Sequence, residues 1–447
     1  MRPTILFAIA LAISAYLPSC KKDKNGGGGS DSDKLKDSTI LYARDIYLWY
    51  DKIPSSFNAR SYDDPDAIME AIRAYSTEPG FTGPVDRWSF AVTQNVWDDL
   101  SQGISKDFGL GIFFRSANDL RVSFVEPASP AGKAGIKRSW QIKQINNSTN
   151  ISTSNLDFVR NAIFGANSVT IVFGRDGEPD TTITLNAATY LEQPVILDTV
   201  YNTGATKTGY FVFNSFLGDT NAIRNEFARI FNRFSTANVS DVVLDLRYNG
   251  GGYVLLQDEL ANYLAPNAAN NQVMEEQKFN NKYTQYNSTT RFKKKGTLNM
   301  SRIFVIVSQN TASASELLIN SLKPFMNVQL VGPTETHGKP VGYFPIPVMD
   351  WYIFPVSFRT VNKNGEGNYF DGFALNHTVA DGLDKAWGDI NENCLAAALK
   401  YISTGNYARL VEPNSKTDLS TLTISSNDKL GAQRFRGAVG IPKKLNR

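Results

Sequence analysis

Histidine and cysteine are nearly absent from this chain, with two of each in 447 residues, and both shortages exclude chemistry. His337 and His377 lie far apart and, with one spare cysteine, make no ligand cluster, so neither a metal nor any other cofactor is expected. Cys20 and Cys394 cannot build a disulfide framework, which leaves a chain of this size to rely on its apolar cores. An excess of one charge is missing too. The formal net charge is +3, without a lysine/arginine block for a nucleic-acid groove or an acidic block for a long solvated tail. No Gly-x-x-x-x-Gly-Lys-Ser/Thr run is present to cradle a phosphate. What remains is an ordinary folded composition, 12% aromatic and 20% charged, long enough for two or three domains.

The longest apolar run, from Ile5 to Leu17, is too short to span a bilayer with its flanks. It follows Arg2 and ends in Leu17-Pro18-Ser19-Cys20, before Lys21-Lys22-Asp23-Lys24, and so has the layout of a targeting segment. This arrangement resembles a bacterial lipoprotein processing site. The resemblance implies removal of residues 1–19, lipidation of Cys20, and a membrane-anchored protein of the cell envelope, on the periplasmic side or the cell surface. An ordinary secretory signal with an incidental cysteine is the alternative. Asn25-Gly26-Gly27-Gly28-Gly29-Ser30 then reads as part of a flexible tether over residues 20–34.

Residues 35–103 read as a small helical domain, with Ile40, Tyr42, Ile46 and Tyr47 at near-helical spacing and a second helix from Ala67 to Tyr75. Residues 104–190 carry a different signature. Gly109-Leu110-Gly111-Ile112 permits a turn whose successive N–H groups form a nest for a carboxylate. A strand, a capped Ser129-Pro130-Ala131 helix, an apolar helix face containing Leu156 and Val159, and two closing strands follow. This run resembles a PDZ domain of the bacterial protease type, although Arg138-Ser139-Trp140 stands where that family usually has Gly-Asp. The resemblance implies a groove in which a polypeptide adds as a strand, its terminal carboxylate on Gly109 to Ile112 and its side chains near Leu156 and Val159.

From about 191 to 405, strands and helices alternate at lengths that predict an α/β layer with parallel pairing, joined later by antiparallel strands between Tyr343 and Phe358. Beyond 405 the periodicity fades and the composition turns polar, so residues 406–447 are expected to be a loosely held tail. Within the α/β layer, the apolar run Arg302 to Val307 precedes Thr311-Ala312-Ser313-Ala314-Ser315-Glu316, and Leu317, Leu318, Ile319 and Leu322 can line a helix after it. That places Ser313 at a strand-to-helix turn, near the positive end of a helix dipole. Ser313 and Glu316 also satisfy the pattern of a capping box, which requires no catalysis.

Two further stretches converge on this one. Gly250-Gly251-Gly252 follows the strand Asp241 to Leu246, where a bare backbone can approach a substrate and donate N–H groups. Thr336-His337-Gly338-Lys339 follows Gly332. A serine needs a base, and a lysine serves as one only when desolvation moves its pKa from about 10.4 towards about 7 to 8. Taken singly, Lys339 is also consistent with a solvated loop lysine and the glycines with a tight turn, while His337 is a second candidate base.

Asp245-Leu246-Arg247-x-Asn249-Gly250-Gly251-Gly252, Ser313-Ala314-Ser315-Glu316 and Gly338-Lys339, in that order behind a PDZ-like block, resemble the C-terminal processing peptidases. The likeness runs from Asp107 to Lys339 and less distinctly to Gly388. It implies a multidomain α/β serine endopeptidase with Ser313 as nucleophile and Lys339 as base. It further implies an oxyanion hole from the N–H of Ala314 and one from the Gly250/Gly251 turn, with polypeptide ends as substrates. Where the family commonly has a glutamine to orient the lysine, this chain has Tyr343, whose phenol can also hydrogen-bond. That departure keeps a second expectation open, a peptide-binding scaffold of the same fold without catalysis.

Overall fold

The structure, a computed structural model, describes residues 30–407, 421–431 and 435–445. The expected signal segment and Cys20 lie outside the described residues. Among the described residues, no helix is long and apolar enough to cross a membrane.

Six strands form the central sheet, in the order His377–Thr378, Asn327–Gly332, Arg302–Ile306, Asp241–Asp245, Thr206–Phe213 and Val195–Thr203. Every pairing is parallel except the last, as an α/β layer requires. The middle strands are apolar on both faces because both faces are covered. Helices Thr220–Thr236, Val254–Leu264 and Ala314–Leu322 pack on one side through Phe227, Leu260 and Leu318, and Asn393–Thr404 packs on the other through Leu395 and Ala398. Cys394 is fully buried in this second layer, where desolvation pushes its thiol well above the usual range. Since Asp241–Asp245 and Arg302–Ile306 run parallel, the turns that leave them, toward Gly250 and toward Ser313, emerge at the same edge of the sheet.

The strands Ile104–Asp107 and Ala188–Leu191 pair antiparallel, forming a neck. Between them lies a five-stranded antiparallel sheet in chain order, Leu110–Ser116, Asp119–Val125, Gln141–Ile145, Ser168–Arg175 and Glu178–Asn186, with Leu110–Ser116 at an edge. Its own core includes Phe114, Val122, Ile142, Ile171 and Phe173. Arg138 reaches from this unit into the α/β layer. Its guanidinium donates to the Ser123 carbonyl at 2.6 Å, the Tyr248 hydroxyl at 3.1 Å and the Asp381 carboxylate at 2.5 Å. Asp381 also accepts from Arg247 at 2.7 Å, and Arg247 is paired with Asp245 at 2.7 Å and Glu392 at 2.8 Å, all of them buried.

Three expectations are corrected. The tether does not extend to residue 34: the Ser30 hydroxyl accepts the Asp33 N–H at 3.1 Å and caps a helix, Asp31–Ile46, with aspartates in its first turn. Residues 35–103 do not close as a helical domain. Their Phe90–Thr93 strand pairs with Trp351–Phe354, and Ile46, Ile72 and Trp97 share one core with Ile346, Phe354 and Phe358. So few short helices cannot bury a core alone, and the later antiparallel strands complete it.

The tail, finally, is not loosely held where it is described. Thr421–Gly431 is a helix against the Leu110–Ser116 edge, and Gly437–Val439 is a buried strand paired in parallel with Gly251–Tyr253. Its apolar residues show no period because they serve different neighbours. Leu430 joins the core of the five-stranded unit, whereas Ala438 and Val439 join the core shared with the N-terminal helices.

Candidate active site

Ser313 sits at φ +61° and ψ −109°, a region that costs a non-glycine residue about 1–3 kcal/mol. Hydrogen bonds over-determine it. The Ala312 N–H donates to the Asn249 carbonyl at 3.1 Å, the His337 N–H to the Thr311 carbonyl at 3.0 Å, and the Ser313 N–H to Glu316 Oε2 at 2.8 Å. The helix Ala314–Leu322 begins directly after it and is buried along its whole length. Of the expected capping box, the glutamate half is made. The Ser313 hydroxyl faces the Glu316 N–H in the box arrangement, yet it is buried without a hydrogen-bond partner of normal geometry among the described residues.

Glu316 does more than cap. Its Oε2 also accepts the Lys339 N–H at 2.8 Å, and its Oε1 accepts the Gly338 N–H and the Thr336 hydroxyl, both at 2.6 Å. Burial raises its pKa, opposed by these bonds. One carboxylate therefore rivets the serine turn to the lysine loop. Gly338, at φ +87°, is required there, since a Cβ would lie 2.1 Å from the Phe370 carbonyl oxygen.

Lys339 is 1% exposed. Desolvation holds its amine well below the usual lysine range, against the opposing pull of Asp86 and Glu316. The amine donates to the Arg436 carbonyl at 2.9 Å and lies 3.9 Å from the Tyr343 ring centroid. Tyr343, itself buried, donates its hydroxyl to the same Arg436 carbonyl at 3.0 Å. It thus meets Lys339 with its ring face and not with its phenol. No Ser313–Lys339 hydrogen bond is made in this structure. His337 is engaged elsewhere: its Nε2 accepts the Trp88 indole N–H at 2.9 Å, and burial pushes its pKa down to about 3.

The Gly250–Gly251 turn abuts the serine turn. A Cβ on Gly251, at φ +102°, would lie 3.0 Å from the Ala314 nitrogen and 2.4 Å from the Gly437 carbonyl oxygen. The Gly251 N–H donates to Asn249 Oδ1 at 2.9 Å, so among the expected donors it is already engaged. Neither Gly250 nor Ala314 donates its N–H to another described residue.

A cleft of about 210 Å³ leads from Gly250 and Gly251 to Gly109 and Leu110, walled by Phe124, Tyr248 and Phe435. Asp107, Glu126 and Glu192 also line it, and the Gly109 N–H donates to Asp107 Oδ1 at 2.7 Å. The nest expected for a carboxylate is thus partly filled by the chain's own. Gly111 faces Phe124, whose ring a Cβ there would strike at 1.7 Å, and Ile112 is buried in the unit's core. Leu156 and Val159 do not line a groove. The helix Leu156–Arg160 turns both into that core, and Phe164 reaches the groove beside Leu110 and Ile112 in their place. Spacing alone identified an apolar helix face but not what covers it. The Arg436 carbonyl carried no sequence signal at all, because any residue has one.

Two family models match the chain, the peptidase family S41 over residues 207–380 and the peptidase S41 N-terminal domain over residues 41–90. A CtpA-like serine protease of Staphylococcus aureus is 26% identical over 342 residues, covering 76% of this chain and 63% of that protein. The carboxy-terminal processing protease CtpB of Bacillus subtilis is 26% identical over 294 residues, covering 63% and 56%. The chain thus spans from about half to 63% of the length of the curated relatives it matches. A crystal structure of an S41 protease from Bacteroides fragilis shares the fold with a TM-score of 0.68 at 24% identity, over 83% of this chain and 97% of that one.

Proposed function

Because the chain belongs to peptidase family S41, we propose that it is a serine endopeptidase in which Ser313 attacks a peptide carbonyl and Lys339 takes its proton. The observation that carries this reading is the buried Glu316 carboxylate, which holds the strained serine turn and the loop of a desolvated lysine together. Catalytic hydrogen bonds are often long before substrate binds, so a Ser313 hydroxyl with no hydrogen-bond partner among the described residues is compatible with the role. The oxyanion of the tetrahedral intermediate is received by the N–H groups of Gly250 and Ala314, each such donor contributing about 3 to 4 kcal/mol in the transition state. Lys339 then returns the proton to the leaving amine, and water hydrolyses the acyl-enzyme.

The five-stranded unit acts in this reading as a PDZ-like module. A polypeptide substrate adds along the Leu110–Ser116 edge and passes through the cleft toward Gly250. Its C-terminal end is the part presented, which agrees with the processing role named for the CtpB relative. A lipid on Cys20 would anchor the enzyme at an envelope membrane.

The test uses the full chain with Ser313→Ala and Lys339→Ala on a non-globular polypeptide, together with a fluorophosphonate probe. Cleavage and labelling by the parent chain, both abolished in the variants, are expected. Equal cleavage by all three proteins would remove the dyad, and tight peptide binding without labelling would leave a scaffold.

A further inference from the structure

An uncharged amine at residue 339 is not sufficient for the reaction proposed above. A neutral amine has one lone pair and two N–H bonds, and the lone pair faces the serine proton only when an acceptor fixes the N–H groups. The structure supplies that acceptor from an unexpected place. The Lys339 amine donates to the main-chain carbonyl of Arg436 at 2.9 Å.

This carbonyl is held as firmly as a side chain would be. Tyr343 donates its hydroxyl to it at 3.0 Å while its ring lies beneath the amine. The Gly437 N–H donates to the Gly250 carbonyl at 2.9 Å, which ties the strand to the glycine turn. The Tyr343 N–H donates to the Ala438 carbonyl at 3.1 Å and the Gly440 N–H to the Tyr343 carbonyl at 2.9 Å, which tie it to the lysine loop. Gly437, Ala438 and Val439 are buried, so this is an integral strand and not an arm resting on the surface. Gly437 is fitted to its place: a Cβ would lie 2.2 Å from both the Tyr343 hydroxyl and the Phe435 ring.

We propose that the main-chain carbonyl of Arg436 is the positioning group for Lys339, so that the C-terminal strand completes the active site. The proposal rests on the Ser–Lys reading and assigns the strand a part in it. In this role the Arg436 carbonyl acts through the amine. Because the acceptor is a backbone atom, the residue type at 436 is not what matters, whereas glycine at 437 and tyrosine at 343 are.

The experiment compares the full chain with Tyr343→Phe and Gly437→Ala. Phenylalanine keeps the ring under the amine and removes only the hydroxyl, and it decides alone should Gly437→Ala not fold. Expected is a fall in kcat of about 10-fold for Tyr343→Phe and about 100-fold for Gly437→Ala, with KM changed less than about two-fold. A carbonyl acceptor favours the ammonium, so weakening it leaves burial less opposed and moves the acid limb of kcat to lower pH. The chemical shift of the Lys339 side chain across pH, read by NMR on lysine-labelled protein with Lys339→Arg as the assignment control, reports the same midpoint without substrate or reagent. A rise in kcat would make the strand a plug and overturn the proposal, as would a fall in kcat with an unmoved limb and midpoint, or no change at all. If the parent chain neither cleaves nor takes the fluorophosphonate, the peptidase reading fails separately. The NMR midpoint still decides about the carbonyl: a downward shift in the variants supports it, and an unchanged midpoint overturns it.

Discussion

In the proposed reaction Lys339 acts as a base only because its surroundings are dry. Burial is the largest influence on it, and the carboxylates of Asp86 and Glu316, which favour the ammonium, do not reverse the shift. The neutral amine is fully present above the depressed pKa and disappears below it. The expected kcat/KM is therefore full above the depressed pKa, well below the ordinary lysine range, and falls as pH drops through it, which a pH–rate series on the free enzyme measures. Lys339→Arg, charged up to about pH 12, is expected to lose about 10²- to 10⁴-fold at every pH. A lysine limb that persisted in that variant would locate the base elsewhere. Ser313 and Lys339 could be singled out as candidates from the sequence because their motifs are local. Glu316 was only half legible. Its bond to Ser313 lies within one turn, but its bond to Lys339 spans 23 positions and depends on how the loop returns.

At the level of elements, the parallel strands announced themselves as apolar runs covered on both faces, and their order placed the two turns side by side. The helix Thr421–Gly431 announced nothing, for it is held by polar contacts as much as by packing. Asn427 makes a pair of hydrogen bonds to the backbone of Phe114, donating to its carbonyl at 2.8 Å and accepting its N–H at 2.7 Å. That pair imitates the bonds of a neighbouring strand and covers part of an open sheet edge. A substrate strand would compete for the same groups. Since each such bond contributes about 1 kcal/mol net, Asn427→Ala is expected to tighten binding of an extended peptide by about 5- to 30-fold. Fluorescence anisotropy with a labelled peptide measures this. Unchanged affinity would mean that peptides bind away from this edge.

Across the whole molecule, the five-stranded unit and the α/β layer are joined by charge buried at their boundary. Burial alone would raise the Asp381 pKa, but Arg138 and Arg247 hold it down at about 2. A depressed carboxylate contributes stability above its unfolded value of about 3.9, and that contribution is lost as pH falls toward about 2. Removing one member should cost more than the pair is worth, because its partners remain buried. Arg138→Ala is expected to destabilise by about 3–5 kcal/mol in urea unfolding, and a loss below about 1 kcal/mol would mean that water already solvates the network. The sequence marked Arg138 only as a departure from the family pattern. That it bridges two units could not be read from its neighbours in the chain.

The layer behind the central sheet has a practical corollary. Cys394 is fully buried, its thiol kept protonated by the same dry packing that surrounds the charge network. Iodoacetamide should therefore modify this position only in molecules whose Asn393–Thr404 helix has lifted off, so its rate of alkylation is a built-in clock for the opening of the sheet. Attachment as fast as to a free thiol in native buffer would mean that this layer breathes far more readily than its packing implies.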